Sequence, residues 1–397
     1  MSNTTVLSNS VRGRYENDYV DGAMSRRVYD ILCYPISTDK EKLQKNTSIT
    51  VPFLSGMSIG NTAISESVDV TPQTLKDSTA SLTPSSRGEA IQDSELLLIE
   101  AYTDYGAKRF EIVGENMQET VEAYLIDTAL AGSLVYRAVA RNTLDAGTAG
   151  HRLSDGTFGQ MARLMAGVKC PEAEGVMGDG SGSMFAIMNV DPYYDMRTSG
   201  NISSIATYQR PEIILNGELG YVEPYRIIAT PWAKVFAGAG ADNGSAVATT
   251  LAAASDPLDK TMTVAASTNV SVGAWLNVGT EETASTFYPM NERVRYTSGT
   301  TTVTFTGQGP NGGFKYEHAS GEAVNNNDGV YPIIFGGPQS IAKAYASEVG
   351  EYGKVVGPKE QGMLEQFVSL GWKWYGGFAI ISENWIGRAE VSCSLDA

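Results

Sequence analysis

Ser58 stands at the centre of GMSIG, residues 56–60, a match to the G-x-S-x-G pattern. In hydrolases with that pattern a strand enters, a helix leaves, and the strained turn between them lifts the serine hydroxyl out as a nucleophile. SITVPFL (48–54) supplies a strand before it, but NTAISESVDV after it reads as strand rather than helix. His151 and His318 follow Ser58 in the order a Ser–acid–His triad needs, yet His318 falls among short strands and no HGG-type oxyanion segment is present. Ser58 therefore reads as part of a turn at a loop base. GDGSGS (178–183) has glycines enough for a phosphate cradle, but neither the Gly-Lys-Ser/Thr ending nor the GxGxxG spacing. Cys33, Cys170 and Cys393 are dispersed and odd in number, so with two histidines they outline no zinc site and no disulfide framework. Glu281-Glu282 and NNNDG (325–329) lack the regular oxygen-ligand spacing of a calcium loop. No catalytic residue, cofactor site or metal site is expected, and the chain reads as a non-enzyme.

The elements that would have to position any chemistry are better marked. Residues 1 to about 35 form a polar arm with Tyr15, Tyr19, Tyr29 and Tyr34, and such an arm buries little on its own. The Ser/Thr-rich stretch after SITVPFL reads as a long two-stranded excursion, and 93–113 as one or two returning strands. Met117, Val121, Tyr124, Thr128, Ala131, Val135 and Ala138 recur at spacings of three and four, which predicts a long helix over 115–145. Glu115, Glu119 and Glu122 near its start and Arg137 and Arg141 near its end suit the macrodipole. A second helix is predicted from Ser154 or Asp155, a buried strand within 182–190, and a further helix beginning at DPYYDMRTS. From Ala237 the composition shifts to small residues and short strands such as TTVTFTG, where Val303 and Phe305 alternate with threonines. This predicts a small all-β module inserted at about 240–330.

The whole chain bounds the possibilities. At 397 residues it exceeds one comfortable core. A net charge of −16 argues against a surface built to grip phosphates, and no apolar run approaches the length of a membrane span. The polar N-terminus lacks the apolar centre of a signal peptide.

NGELGYVEPYRIIATP (216–231) holds two glycines, an aliphatic strand and a lone arginine, with no nucleophile or ligand. It resembles a signature of tailed-phage major capsid proteins with the Hong Kong-type shell fold, at Asn216, Gly217, Glu218, Gly220, Arg226, Thr230 and Pro231. GPKEQGMLEQFVSLGWKWYGGFAIISENWIGRAEV resembles the tail of that family, at Gly357-Pro358, Gln366, Trp372-Lys373, Trp385, Arg388 and Glu390, and HASGEAVNNNDGVYP resembles the small β-barrel insertion of some members. Tyr221, Glu223 and Pro224 depart from the commoner residues, and the spacing near 360–370 is loose.

The resemblance implies an α+β fold with an N-terminal arm (1–54), an extended β-hairpin loop (55–92) and a peripheral domain (93–180) whose spine helix is 115–145. It further implies an axial domain (181–239 and 331–355), an inserted barrel (240–330) and a C-terminal return to the peripheral domain (356–397). Gly217 and Gly220 would supply turn geometry, Tyr225–Ala229 a core strand, and Arg226 a paired charge. The implied role is a structural subunit that assembles with itself into hexamers and pentamers of an icosahedral shell, enclosing double-stranded DNA without reading its sequence. Portal, scaffolding and decoration proteins would be its partners, the virion capsid its location and the host cytoplasm its place of assembly, with no membrane involved. Some relatives weld subunits through a lysine of the extended loop; Lys76 lies there, and a solubilising role is the expected one. An encapsulin-like compartment, a hydrolase acting through Ser58 and an adhesin built on the β module are the rival readings.

Overall fold

The structure is a computed structural model and describes residues 28–37, 48–54, 56, 57, 59, 72–96, 105–170, 172, 184–198, 220–222, 224–241, 248–266, 271–280, 290–307, 309, 312–361 and 366–396. Most of the arm, Ser58, GDGSGS, Glu281-Glu282 and Asn216, Gly217 and Glu218 lie outside them. In chain order the elements are β1 (Cys33–Ser37), β2 (Ile49–Leu54), β3 (Asp77–Leu82), β4 (Ser85–Ser94), α1 (Tyr105–Leu130), β5 (Leu134–Arg137) and α2 (Asp155–Gly167). Next come β6 (Met184–Met188), α3 (Val190–Thr198), β7 (Gly220–Val222) and β8 (Tyr225–Ala229). Short strands follow: β9 (Ala248–Thr250), β10 (Thr261–Thr263), β11 (Trp275–Val278), β12 (Glu292–Ser298), β13 (Thr302–Thr306) and β14 (Ala323–Asn325). After them are β15 (Tyr331–Gly336), β16 (Ile341–Tyr345), β17 (Lys354–Gln361), β18 (Phe367–Ile380) and β19 (Ile386–Val391). The chain divides into two compact units, with the boundary at residues 119 and 120 falling inside α1.

The first unit comprises Cys33–Glu119 and Ile341–Ser382. Its organising strand is β18, where the two-residue period places Val368, Leu370, Trp372 and Trp374 on one face, all buried. β4 pairs with β18 from Ser94↔Phe367 to Ser85↔Gly376; β17 and then β16 take the other edge, and β1 adds parallel to β16. Gly376 is required by the close approach of β16, because a Cβ there would stand 2.5 Å from the Ala344 carbonyl oxygen. β2 and β3 form a separate two-stranded hairpin from Ile49↔Leu82 to Leu54↔Asp77. Its root packs Leu82 and Ile49 against Ala342 and Ala344. The excursion read over 55–92 thus takes in β4, a strand of the main sheet. Its polar run SSRGEAIQDS, with no buried position, hides that pairing.

The helix expected over 115–145 runs instead over Tyr105–Leu130. Met117 and Val121 of the anticipated stripe are buried on it, while Val135 belongs to β5 and Arg141 to a 3₁₀ turn. Gly106 and Gly114, poor residues for a helix interior, masked its start. Its end is set by Gly132 and by Leu134-Val135-Tyr136, whose bulk suits the strand pairing β5 makes with β19. Among the described residues of 93–113, where one or two strands are expected, the end of β4 is strand and α1 begins at Tyr105.

The second unit comprises Thr120–Ser340 and Glu383–Ala397 with Arg27–Leu32. Its main sheet has the order β5-β19-β15-β6-β8-β7. β6, β15 and β19 are buried at every position, the mark of central strands covered on both faces. Over one face lies α2, placed as predicted, whose Phe158, Met161 and Met165 meet Met184, Tyr225, Ile333 and Phe335. Phe158, Tyr225 and Phe335 form an aromatic cluster with ring centroids 4.8–6.1 Å apart, two of the three contacts edge-on.

A six-stranded sheet, β10-β13-β12-β11-β14-β9, has its own core of Leu251, Met262, Leu276, Val294, Val303, Phe305, Phe314 and Val324. Its two outer strands are tied as well: Ala252 N donates to Thr263 O and Ala265 N to Thr250 O, so the sheet curls back on itself. A short antiparallel stem carries it. Phe236 and Val330 bridge, Gly240 N donates to Asp328 O at 2.9 Å and Asp328 N to Ala241 O at 3.0 Å. Gly240 is needed there, since a Cβ would lie 2.8 Å from Leu144 O and 2.9 Å from Asp328 O.

Candidate functional site

Of the signature residues, Gly220 opens β7 opposite Ile227 rather than sitting at a turn, and Arg226 is half-buried in β8 between Phe185 and Tyr221 in register. Thr230 N donates to Met188 O, and Pro231 stands exposed at the turn that leaves the sheet. In the first unit the Trp372 indole N–H donates to Asn116 Oδ1 of α1 at 2.8 Å, while Lys373 points to solvent. Trp385 packs against the core of the second unit, and its carbonyl accepts from Ser340 Oγ at 2.9 Å. Lys76 is exposed just before β3.

Arg388 and Glu390 do meet a cluster. Two residues apart on β19, they share one face of the sheet. The Arg388 guanidinium donates to the carbonyls of Leu130 and Gly132, filling acceptors left open at the C-terminal end of α1. Glu390, its side chain wholly buried, accepts from Arg388 Nε at 2.9 Å, Arg137 Nε at 2.5 Å and Nη2 at 3.0 Å, and Arg141 Nε at 2.8 Å. Burial alone would raise its pKa, but the hydrogen bonds from Arg141 and Arg137 and the surrounding guanidinium charges hold it at about 2. Arg141 also lies over the Phe236 ring at 4.5 Å, next to the module's stem. Arg137 and Arg141, read as helix-end charges, thus serve a carboxylate some 250 positions away in sequence; the helix end is served by Arg388.

A second cluster ties the module to the C-terminal turn. Arg293 of β12 pairs with Asp396 and donates from Nη1 to Tyr331 Oη at 2.8 Å and from Nε to Asn277 Oδ1 at 3.1 Å. Beside it Asp328 accepts from Ala146 N at 2.8 Å through Oδ2, while Oδ1 is buried without a hydrogen-bond partner. Burial raises its pKa to about 6; the Ala146 bond opposes the shift, and the Asp396 and Asp145 charges add to it. The folded value lies above the unfolded one, so the native state gains stability as pH falls from about 6 to about 4 and carries the full penalty above that range. Asp328→Asn keeps the acceptor and removes the charge. Thermal denaturation should find it more stable than wild type at pH 8, by roughly 2–3 kcal/mol, and level with it near pH 4. An equal or lower melting temperature at pH 8 would refute this account of Asp328.

His318 is wholly buried in the module, its ring between Glu292 and Glu322, and so unsuited to serve Ser58 as a base. His151 is half-buried and accepts from Asp145 N through Nδ1. NNNDG is absorbed by structural bonds, such as Asn277 Nδ2 to Asn325 Oδ1. Among the described residues no three His, Cys, Asp or Glu side chains are placed to hold a metal, and no helix is long and apolar enough to cross a membrane.

The first unit exposes several large apolar side chains. Leu54 is 75% exposed, Met57 69%, Ile59 93% and Leu75 54%, all at the end of the β2–β3 hairpin away from its packed root. Four large hydrophobic side chains in water on one slender element are the pattern of a contact surface. Exposure of this kind leaves no mark in composition; the signal was the length of the excursion.

No protein-family model and no curated protein matches the chain. Solved structures do. The capsid of Ralstonia phage GP4 superposes with a TM-score of 0.53 at 8% identity, covering 92% of this chain and 86% of that one. A structure from Mycobacterium phage Che8 gives 0.51 at 8%, covering 92% and 91%. The capsid asymmetric unit of cyanophage Pam1 gives 0.51 at 11%, covering 93% of both chains. At such identities the likeness is one of fold, and the chain has the mixed α+β, strand-rich fold of tailed-phage capsid subunits.

Proposed function

We propose that this chain is the major capsid protein of a tailed phage, a structural, non-enzymatic subunit that assembles with copies of itself into a closed shell around double-stranded DNA. One observation carries the reading: the fold likeness to phage capsids covers nine-tenths of the chain. In this reading β3 belongs to the extended loop, 55–92, which pairs back on β2 at the end of the arm and lies on a neighbouring subunit. α1 is the spine helix, the sheet of β6, β8 and β15 belongs to the axial domain, and 240–330 is the inserted barrel. Asn216–Pro231, Trp372, Lys373, Trp385 and Arg388 are fold and assembly determinants. The net charge of −16 suits a container wall that leaves DNA mobile inside it. Portal, scaffolding and decoration proteins are the further partners, and the virion is the destination.

Size-exclusion chromatography with negative-stain imaging of purified protein tests this directly. Closed particles or capsomer rings are the expected outcome. A monomer at every concentration, ionic strength and crowding condition tried would remove the shell from consideration.

A further inference from the structure

We propose that His318 is a protonated clamp inside the β module, locking the Ala319–Glu322 turn to the barrel-like core, and that loss of its proton on the alkaline side frees that turn. The inference stands on the module alone and holds whether or not the chain forms a shell.

The geometry favours a cation. The imidazole is fully buried, its ring 4.6 Å from that of Phe314, which itself packs on Phe305. Its Nδ1 is hydrogen-bonded to Glu322 Oε2 at 2.8 Å, and its buried Nε2, which makes no hydrogen bond, lies at ion-pair distance, 3.5 Å, from Glu292 Oε1. A neutral imidazole has one N–H and one lone pair, so one of its nitrogens would face a carboxylate with a lone pair. Only the imidazolium presents a proton to both. Glu292 and Glu322 are the charged groups that face the ring; Ser255, across the backbone bridge, and Phe314 bring none.

Each carboxylate also holds backbone. Glu292 accepts from Lys315 N at 2.8 Å and Tyr316 N at 2.6 Å, fixing the segment that leads into His318. Glu322 accepts from Ala319 N at 3.0 Å through Oε1, so the same side chain closes the turn and grips the ring. Glu292 is buried, whereas the Glu322 side chain is 30% exposed; water therefore reaches the clamp from the turn side. Removing the proton takes the positive charge from between the two carboxylates, and Glu322, the partly exposed one, is the partner that water can draw away.

The direction of titration agrees. Burial opposes the charge on His318, but the interactions with Glu292 and Glu322 outweigh it and raise the pKa above the ordinary histidine value. A raised folded value gives stability present in full below about pH 6.5 and lost as pH rises through the folded value.

Hydrogen–deuterium exchange of the full-length protein between pH 5.5 and 9.5, corrected for intrinsic exchange, reads this through peptides covering 315–324. Protection of that segment should fall at least tenfold across the alkaline transition, while peptides of β12 and β13 keep theirs. His318→Gln should show the loosened state at every pH. If that variant does not fold, Glu322→Gln serves, because its side chain is partly in water: it should move the transition to lower pH. Wild-type protection that is flat across the range, a His318→Gln profile that still titrates, or an unmoved transition in Glu322→Gln would each overturn the clamp.

Discussion

Glu390→Ala is expected to destabilise the second unit by about 3–5 kcal/mol, the scale for removing one partner of a buried ion cluster. The carboxylate is wholly buried and its removal strands three guanidiniums, of which Arg388 is itself 7% exposed. On unassembled protein this should lower the unfolding midpoint by roughly 10 °C or more. Glu390→Gln should lose much of the same stability, since an amide cannot answer the charge of three arginines. The pH dependence carries a sign. With its folded pKa held at about 2, well below the ordinary glutamate value, Glu390 adds stability that is complete above about pH 4.5 and lost as pH falls toward 2. Wild type should therefore weaken in that window more steeply than Glu390→Gln. Pairing Arg388→Met with Glu390→Leu separates two roles. Apolar replacement of a buried pair can restore stability, but the carbonyls of Leu130 and Gly132 would still lack the Arg388 donor. Recovery should thus be partial and α1 should fray at its end. A Glu390→Ala protein within 1 kcal/mol of wild type would show that the cluster contributes specificity rather than stability.

How far the sequence announces this arrangement differs element by element. Periodic, locally determined pieces were legible: α2 from its 3–4 spacing, β6 from its unbroken apolar run, β8 within YRIIA, and β13 from Val303 and Phe305 alternating with threonines. α1 was legible in its middle and not at its ends, because its start runs through two glycines and its terminus depends on an arginine 258 positions on. β4 was hidden by polarity, since an outer strand can satisfy β18 through its backbone while its side chains face water. The Glu390 cluster had one local sign. IGRAEV places opposite charges two apart in an otherwise apolar strand, hence on one buried face, where they must be paired. Arg137 and Arg141 resemble helix-end charges in the sequence because the three-and-four spacing of apolar residues continues past Leu130, where α1 stops. The His318–Glu322 pair was available as an acid four positions after a histidine in HASGE, but Glu292 joins through the fold alone.

Replacing the four exposed residues of the hairpin, Leu54, Met57, Ile59 and Leu75, by serine is expected to abolish particle formation and leave the subunit folded. The hairpin roots itself through Leu82 and Ile49, which remain, so circular dichroism and the melting temperature of the unassembled protein should stay close to wild type. Burying a large aliphatic side chain contributes about 1.5–3 kcal/mol. Even if a contact with another copy covers only half of each, four side chains amount to roughly 3 kcal/mol per subunit, about a hundredfold in the concentration needed for assembly. Each subunit in a closed shell both gives and receives such a contact, so the losses accumulate around every ring and the transition from particles to free subunits becomes sharp. Single serine substitutions should raise the threshold by smaller steps, with Ile59, 93% exposed, among the more sensitive because it has the most surface left to bury. The measurement is the protein concentration at which particles appear in light scattering or negative stain. Particles forming at the wild-type threshold from the fourfold variant would mean that the hairpin does not hold copies together, and that another surface of this fold closes the shell.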